Sequence, residues 1–461
     1  MSIQRSIRRI SIKNLFGRYS YTLPEQDSER DLGKIFILYG DNGSGKTTLL
    51  KLTFHLLATA EGAGHKTAIA RIPFQHFEIE LDNGLLIWAS RNPETLIGSF
   101  TFGANTTDGS CKSVFLEADQ NNSIKKKSLV SSIDDQFIEI VNWIKELGVE
   151  PYFLSDDRIV HFDKYEQLDP ESHAIVTEQI ITLSRWKKRF DEPEDSAGNL
   201  LQQSLRRSAN WIRNKVLQAS SVGEANVNAL YENILHRIAN TPIKSDISPD
   251  FNRDELIKRL DYLESKSKEF SRFGFSPSFK ANLIRETVSD SNKTHLALIE
   301  SVLTPYIQSI EARLLALSDT QELVARFLDT LNTNFFGDKA LFYDLTDGFY
   351  LKAGDSTLSP EMLSSGERHL LLLFTNTITA LDQPSILMVD EPELSLNIKW
   401  QRALLDSLAY CIGDNPVQYI FATHSMEILS QHIDKVVKLI PEDKDFTWHN
   451  QKPLHQLNEL E

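Results

Sequence analysis

The stretch Gly40-Asp41-Asn42-Gly43-Ser44-Gly45-Lys46-Thr47 fits the phosphate-loop pattern G-x-x-x-x-G-K-[ST]. The apolar run from Lys34 to Tyr39 precedes it and predicts a buried strand, and the residues from Thr47 to Leu52 predict the start of a helix. In this context glycines let backbone N–H groups surround phosphate oxygens, and the helix N-terminus adds a partial positive charge. We therefore predict a nucleoside triphosphate site, and a plain glycine-rich surface turn is the alternative.

The positions in this loop predict their roles. Lys46 would reach the β- and γ-phosphates, and the hydroxyl of Thr47 would ligate Mg²⁺. The residues expected to line the site are Gly40, Asn42, Gly43, Ser44, Gly45, Lys46, Thr47 and Thr48.

The composition excludes several classes of protein. At 461 residues, 41% hydrophobic and 25% charged, the chain has ample material for a core and no membrane-spanning run. Two cysteines, Cys111 and Cys411, give no disulfide framework, so we expect a cytoplasmic location. The net charge of −15 argues against extensive nucleic-acid wrapping, although a local basic patch stays open.

Apolar runs that alternate with helical patterns predict an α/β fold: a nucleotide-binding core with a mainly parallel sheet, a small antiparallel sheet and a helical insertion. Residues 8–22 predict a strand pair, residues 74–88 a hairpin, and residues 92–130 loops and short strands. Residues 385–389 and 417–422 predict buried parallel strands.

We predict three segments along the chain. Residues 1–158 form the N-terminal half of the core, residues 159–332 a helical insertion, and residues 333–461 the C-terminal half. The insertion predicts a compact helical lobe with no long coiled-coil arm, and its segment from Leu296 to Leu331 is expected to break at Pro305.

Acidic residues follow the predicted strand 385–389. Asp390 would hold Mg²⁺, directly or through water, and the adjacent Glu391 would orient the attacking water or accept its proton. Glu393 is a second acid nearby that can be confused with Glu391. An acidic turn after a core strand is the alternative, and His424 after the next strand makes it less favoured.

The stretch Leu363-Ser364-Ser365-Gly366-Glu367-Arg368 predicts the start of a helix. Its serines and glycine offer hydroxyl and backbone donors to an anion at the helix N-terminus. The same pattern is typical of an ordinary capped helix, which is the competing interpretation.

Together these motifs resemble the ABC-type ATPases of the SMC, RecF and OLD group, over residues 8–90, 150–158 and 335–430. The resemblance implies ATP and Mg²⁺ as ligands, Glu391 and His424 as catalytic residues, and a homo-oligomer that is at least a dimer. It also implies that a signature stretch contacts ATP held by the phosphate loop of another subunit; the residues carried over are Ser364, Ser365, Gly366 and Glu367.

The chain departs from that family in three places. Ser365 stands where a glycine is common, and Asn397 stands where the D-loop usually has an acid. No segment fits the Q-loop well, because Gln75 lies in a predicted hairpin and residues 155–158 match only loosely.

The style of the motifs resembles the ATPase subunits of PARIS-type anti-phage systems, with Septu and retron-associated ATPases as near relatives. This resemblance implies a sensor and scaffold that controls a separate toxic nuclease, of Toprim type, and responds to a phage-encoded trigger protein.

A RecF- or SMC-like ATPase that clamps DNA is the alternative, and it would need a basic face on the insertion. Candidates for that face are Arg185, Lys187, Lys188, Arg189, Arg206, Arg207 and Arg213, although a solvated helical surface is the simpler interpretation. A transporter motor is a third possibility, disfavoured by the large insertion between Lys46 and Gly366.

Overall fold

The computed structural model describes residues 6–24, 33–60, 62–124, 132–158, 160–163, 200–219, 253–290, 293–381 and 385–440. They form two compact units. The first comprises the described parts of Met1–Asp191, Ala380–Leu405 and Asp414–Glu461, and the second those of Glu192–Thr379 and Asp406–Gly413. Across these described residues, no helix combines the length and apolar character that a bilayer crossing requires.

The strands, in chain order, are β1 (Ile7–Leu15), β2 (Tyr19–Leu23), β3 (Ile35–Tyr39), β4 (His76–Leu81), β5 (Leu86–Ser90), β6 (Phe100–Asn105), β7 (Cys111–Leu116), β8 (Glu150–Leu154), β9 (Val160–Phe162), β10 (Ala340–Asp344), β11 (Gly348–Ala353), β12 (Ser356–Leu358), β13 (Ser385–Asp390), β14 (Val417–Thr423) and β15 (Val436–Lys438). The helices are α1 (Lys46–Leu57), α2 (His65–Arg71), α3 (Ser132–Glu146), α4 (200–219), α5 (Arg253–Ser271), α6 (Asn282–Asp290), α7 (Lys293–Asn334), α8 (Ser365–Ala380), α9 (Ile398–Ile412) and α10 (Met426–Gln431).

A mainly parallel sheet forms the centre of the first unit, with the strand order β15-β3-β14-β13-β8-β9. β13 and β14 are buried at every position, as expected for strands covered on both faces. Their register sets Leu387 between Tyr152 and Tyr419, and β9 pairs antiparallel to β8 at the edge. The predicted α/β fold with a parallel sheet is confirmed.

An antiparallel sheet also belongs to the first unit, in the order β2-β1-β4-β5-β6-β7. Along β4 each second residue is buried, so Phe77, Ile79 and Leu81 form the inner face. The sheet is larger than predicted, because residues 100–116 form β6 and β7 where we expected loops and short strands.

Helix α1 contacts β8, β13 and β14 of the parallel sheet and β5 of the antiparallel sheet. Its apolar side chains Leu49, Leu50, Leu52 and Phe54 are almost wholly buried, which anchors the helix that begins at the phosphate loop. The helix ends at Leu57.

A buried polar group lies at the far end of α1, and we call it the distal cluster: His55, His65, Lys66, His161 and Asp163. The Nδ1 atoms of His55 and His65 are 3.0 Å apart, which is a hydrogen bond when one ring carries the proton there. Asp163 Oδ1 accepts from the backbone N–H of Thr59 and Ala60, both at 2.7 Å, and lies 3.7 Å from His65 Nε2. The cluster thereby ties the end of α1 to β9 and to the start of α2.

The second unit contains α4 to α7, nearly all of α8, and a three-stranded sheet of β10, β11 and β12. Helix α7 runs for 42 residues with Pro305 inside it, so the predicted break at Pro305 is wrong. A proline removes one helical hydrogen bond and crowds one carbonyl, and a helix packed elsewhere along its length tolerates that loss. At 1.5 Å per residue α7 is about 60 Å long. This length exceeds that of the helices we expected in a compact lobe. Arg259 of α5 forms a two-pronged ion pair with Glu311 of α7, at 2.7 and 2.6 Å.

The three predicted segments differ from these units, and their division stays a prediction. Residues 333–379 join the helices in the second unit, whereas we grouped them with the ATPase core. Residues 164–199 and 220–252 of the predicted insertion lie outside the described residues.

Candidate nucleotide site

The phosphate loop joins the end of β3 to the start of α1, as its sequence predicts. Gly43 and Gly45 adopt φ angles of +82° and +94°, which L side chains rarely tolerate. A Cβ atom on Gly45 would also lie 2.6 Å from Leu15 Cδ2. The backbone conformation therefore favours glycine at position 45, and a side chain there would also displace the Leu15 methyl group.

Lys46 is folded into the loop. Its side chain is buried, and Nζ donates to the carbonyl oxygens of Gly40 at 2.7 Å and Asp41 at 3.1 Å. The ammonium group thus stays inside the turn, close to the backbone N–H groups that would surround a phosphate. Asn42 is exposed, and Thr48 is half-buried in the first turn of α1.

Tyr21 is a residue that sequence reasoning missed. Its hydroxyl donates to the carbonyl of Ser44 at 3.0 Å, which ties the loop to β2. Burial, together with repulsion from Tyr19, raises the pKa of Tyr21 above its usual range, so the phenol stays protonated and keeps donating. In the sequence, the only indication that Tyr21 supports the loop is its position in a strand that follows a glycine turn.

Asp390 ends β13 and is 1% exposed. Burial raises the pKa of its carboxyl to about 6; the Thr47 hydroxyl and Lys51 oppose that rise, and Asp156 and Glu391 add to it. Within the described residues neither carboxylate oxygen of Asp390 makes a hydrogen bond of ordinary geometry, although the Thr47 hydroxyl is close enough to lower the pKa of that carboxyl. The structure thus brings the two predicted metal-binding residues together.

This pair fits Mg²⁺. A hydroxyl and an unpartnered buried carboxylate are the oxygen donors that Mg²⁺ prefers, and a bound cation would offset the burial of the Asp390 charge. A protein usually supplies only one or two such ligands to Mg²⁺, with phosphate oxygens and water completing the shell.

Glu391 and His424 meet beside this carboxylate. His424 Nδ1 lies 3.3 Å from Glu391 Oε1, and both side chains are partly exposed. Glu391 has a φ of +47°, and its backbone N–H donates to Ala422 of the neighbouring strand at 2.8 Å. Such strain in a non-glycine residue is typical of functional positions that the surrounding structure holds in place.

Glu393 has a different environment. Its Oε1 accepts from Thr423 Oγ1 at 2.6 Å and from the backbone N–H groups of His424 and Ser425 at 3.2 and 3.1 Å. The carboxylate is 8% exposed and ties the turn after β13 to the end of β14. Between the two acids that the sequence left open, these contacts favour Glu391 for a role toward water.

The loop after β8 also reaches this region. Asp156 is near enough to raise the pKa of Asp390, and Arg158 donates to Ser395 Oγ at 2.7 Å, linking this loop to the turn after β13. Gln75, the other Q-loop candidate, accepts from Asn14 Nδ2 at 2.6 Å. Asn397 Oδ1 accepts from Trp400 N at 3.0 Å, so this D-loop residue caps helix α9.

The signature stretch belongs to the second unit. Ser364 and Ser365 are exposed at the start of α8, whereas Gly366 and Glu367 are buried. Ser364 and Glu367 form the reciprocal hydrogen bonds of a capping box, as the simpler interpretation predicted. This cap occupies the N–H and the hydroxyl of Ser364, and an anion-binding role for the exposed serines stays a prediction.

The AAA ATPase domain family matches residues 6–429 of the chain. The energy-coupling factor transporter ATP-binding protein EcfA1 of Thermotoga maritima is 45% identical over 56 residues, which are 12% of this chain and 21% of that protein. The chain therefore matches about a fifth of that relative's length.

Two solved structures align with most of the chain. The Smc head domain from Pyrococcus furiosus, with an extended coiled coil and bound to the C-terminal domain of ScpA, is 14% identical with a TM-score of 0.39, covering 93% of this chain and 92% of that one. The Smc head domain from Pyrococcus yayanosii, with a coiled coil and joint, is 15% identical with a TM-score of 0.36, covering 93% of both chains.

Proposed function

The chain belongs to the AAA ATPase domain family, and we propose that it binds ATP with Mg²⁺ at the phosphate loop and hydrolyses it with the help of Glu391 and His424. One observation carries this proposal. The phosphate loop follows β3, Asp390 and Glu391 lie at the end of β13, and His424 follows β14. These three strands are parallel neighbours in the sheet. Their carboxyl ends share one edge of the sheet, where open α/β sheets bind ligands.

Each residue has a role that its surroundings support. Lys46 would balance charge on the β- and γ-phosphates from within the loop. Mg²⁺, held by Thr47 and Asp390, would neutralise further phosphate charge when bound. Glu391 would orient the attacking water or accept its proton, and His424 would hold the Glu391 carboxylate and sense the γ-phosphate.

We also propose that the site is completed by a second copy of the chain. Ser364, Ser365 and Gly366 would contact the γ-phosphate of ATP held by another subunit, so hydrolysis would require at least a dimer. The exposure of both serines at the N-terminus of a helix supports this, because the partial positive charge of a helix N-terminus attracts anions.

Three variants test these roles. Lys46→Ala should lose ATP binding, and Glu391→Gln should bind ATP but turn over at least roughly a hundredfold more slowly. Glu94→Gln, in an exposed loop, is the matched control and should behave as wild type. Wild-type turnover by Glu391→Gln would remove Glu391 from the mechanism.

A mixing experiment tests the second subunit's contribution. Ser364→Arg alone should bind ATP and hydrolyse it poorly. Mixed with Lys46→Ala, it should regain activity, because one interface then combines an intact phosphate loop from one chain with an intact signature from the other. No recovery on mixing, or full activity of Ser364→Arg alone, would refute action across subunits.

For the biological role we propose a sensor and scaffold in anti-phage defence that controls a separate toxic nuclease and responds to a phage protein. The motif style of Leu363–Arg368, Asp390–Leu396 and Thr423–Ser425 supports this role. The DNA-clamp alternative has less support, since the chain carries a net charge of −15 and Arg213 donates to the backbone carbonyls of Leu345 and Thr346. Arg185, Lys187, Lys188 and Arg189 lie outside the described residues.

Two measurements separate these roles. Co-purification of a nuclease encoded beside this chain, and its ATP-dependent release on phage infection, are expected for a defence sensor. Binding of duplex DNA that weakens steeply with salt, without a nuclease partner, would favour the DNA clamp instead.

A further inference from the structure

Glu367 connects the signature stretch to a lysine outside it. Glu367 Oε2 accepts from the backbone N–H of Ser364 at 2.7 Å and from its hydroxyl at 2.8 Å. Lys339 Nζ donates to both carboxylate oxygens of Glu367 at 2.9 Å. A single carboxylate therefore holds the first signature serine and the lysine together.

The pair is largely removed from water. The side chain of Lys339 is 20% exposed and that of Glu367 10% exposed. Burial acts to raise the pKa of Glu367, but the hydrogen bonds from Lys339 and Ser364 outweigh it and leave the pKa below its ordinary value. Glu367 is therefore an ionised carboxylate whose two oxygens are already occupied, which suits a supporting role better than contact with nucleotide.

A capping box alone does not explain Lys339. The reciprocal bonds between Ser364 and Glu367 satisfy the helix start without any cation, and exposed capping boxes work that way. Here the acid is buried, so an unpaired charge would be costly and the carboxylate would turn toward water, away from Ser364. Lys339 keeps the carboxylate in the orientation that holds the serine.

The segment that carries Lys339 is itself fixed to the end of α7. Asn332 Nδ2 donates to the carbonyl of Leu341 at 2.9 Å, and the Leu341 N–H donates back to Asn332 Oδ1 at 2.7 Å. The ring of Phe335 lies 5.6 Å from that of Phe374 in α8. Lys339 thus stands in a short connection whose two ends are bound to the long helix and to β10.

We propose that Lys339 is a positioning residue for ATP hydrolysis: through Glu367 it holds Ser364, and with it the exposed N-terminus of α8, in place for the ATP of the other subunit, and it couples that serine to the end of α7. This inference rests on the proposed action of the signature across subunits. A shift of the α7 end would then be transmitted to Ser364 by one ion pair.

Lys339→Met tests the inference, with Lys339→Arg as the conservative variant. Lys339→Met should keep ATP affinity within about twofold and lose roughly 10- to 100-fold in kcat, the loss expected when a reacting contact is misplaced by about 1 Å. Lys339→Arg should recover most of kcat, since a guanidinium also pairs with both carboxylate oxygens. A wild-type kcat for Lys339→Met would overturn the proposal.

Mixing separates positioning from a general loss of structure. Lys339→Met mixed with Lys46→Ala should regain activity, as Ser364→Arg does, while Lys339→Met mixed with Ser364→Arg should not, because both chains then lack a working signature. Failure of the first mixture while Ser364→Arg with Lys46→Ala recovers would overturn the role of Lys339 alone. Failure of both mixtures with Lys46→Ala would instead overturn the proposed function.

A double variant keeps the test decisive if Lys339→Met folds poorly. Lys339→Met with Glu367→Gln removes the buried unpaired charge, and the amide oxygen of Gln at 367 can still accept from the Ser364 N–H. Its kcat should exceed that of Ser364→Arg, in which the signature is disrupted directly. A folded double variant with a kcat equal to or below that of Ser364→Arg would contradict the coupling through Glu367.

Discussion

The distal cluster should make the first unit sensitive to acid. Burial lowers the pKa of His55 to about 3, with repulsion from His65, His161, Lys66 and Lys51 in the same direction. Burial likewise lowers the pKa of His65 to about 4; Lys66 and His161 add to this and Asp163 opposes it. Burial also lowers the pKa of Lys66 to about 7, so all three of these side chains disfavour an added proton.

The sign of the effect follows from proton counts. Both histidine pKa values lie below the ordinary value of 6.5, so under pH 6.5 the unfolded chain binds more protons than the folded chain. Their contribution to stability is full above pH 6.5 and is lost as the pH falls toward 4. At pH 5 each histidine should have cost about 2 kcal/mol of the free energy of unfolding, and the pair about 4 kcal/mol.

The assay compares wild type with a variant that cannot titrate there. His55→Asn with His65→Asn removes both rings, so it should be less stable at pH 8, where it loses packing against Phe54. Between pH 8 and pH 5 its stability should fall by about 4 kcal/mol less than that of wild type. Urea titrations followed with two spectroscopic probes measure this, because two compact units need not unfold together.

A matched control asks whether loss of any histidine has the same effect. His76→Asn replaces a ring that stacks on Trp88, outside the cluster, and it should keep the wild-type difference between pH 8 and pH 5. Equal pH dependence in wild type and the double variant would refute the reasoning that the His55 and His65 rings are buried without protons.

Three further outcomes are expected near the nucleotide. Gly45→Ala should weaken ATP binding and lower stability by about 1–2 kcal/mol, because a side chain at φ +94° is strained and meets Leu15. Calorimetry measures both effects, and unchanged ATP binding would contradict this prediction. Tyr21→Phe should raise KM for ATP and cost about 1–3 kcal/mol by leaving the Ser44 carbonyl unpaired, so a urea midpoint and KM equal to wild type would remove Tyr21 from loop support. Asp390→Asn should lose hydrolysis yet gain up to about 3 kcal/mol of stability in EDTA at pH 8, because burial raises the pKa of the Asp390 carboxyl from 3.8 to about 6. The gain should shrink as the pH falls from 6 toward 3.8, and a loss of stability in the variant would show that the buried charge is not the cause.

The parts of the site that the sequence predicted are those fixed by nearby residues. An apolar run before the phosphate loop and a helix start after it are local patterns, and β3 and α1 formed where those patterns indicated. The same holds for β13 and β14, whose unbroken apolar runs require cover on both faces. The polar residues that follow such strands are then brought to a common edge by the parallel arrangement itself.

What the sequence could not predict depends on contacts between distant residues. Tyr21 contacts Ser44, which lies 23 residues further along the chain, and no local sequence pattern predicts that contact. The sequence does not distinguish Glu391 from Glu393, and only the position of Thr423 in the structure shows that Oε1 of Glu393 already accepts hydrogen bonds. Pro305 is a helix breaker by propensity, yet buried residues of α7 such as Leu317 and Phe327 stabilise the helix beyond it.

The order of strands in the parallel sheet has a consequence for synthesis of the chain. β13 and β14 lie in the middle of that sheet, between β3 and β8, yet both follow the main segment of the second unit, Glu192–Thr379, in the sequence. On the ribosome β3 and β8 emerge first, without β14 and β13, the central strands that they pair with. At 5–20 residues per second, the roughly 230 residues from β8 to β13 leave those apolar strands incomplete for roughly 10 to 50 s. We therefore expect the nascent N-terminal half to bind a chaperone that keeps these strands from aggregating until β13 and β14 are made. An mRNA truncated before β13 would encode a product without the central strands of its sheet.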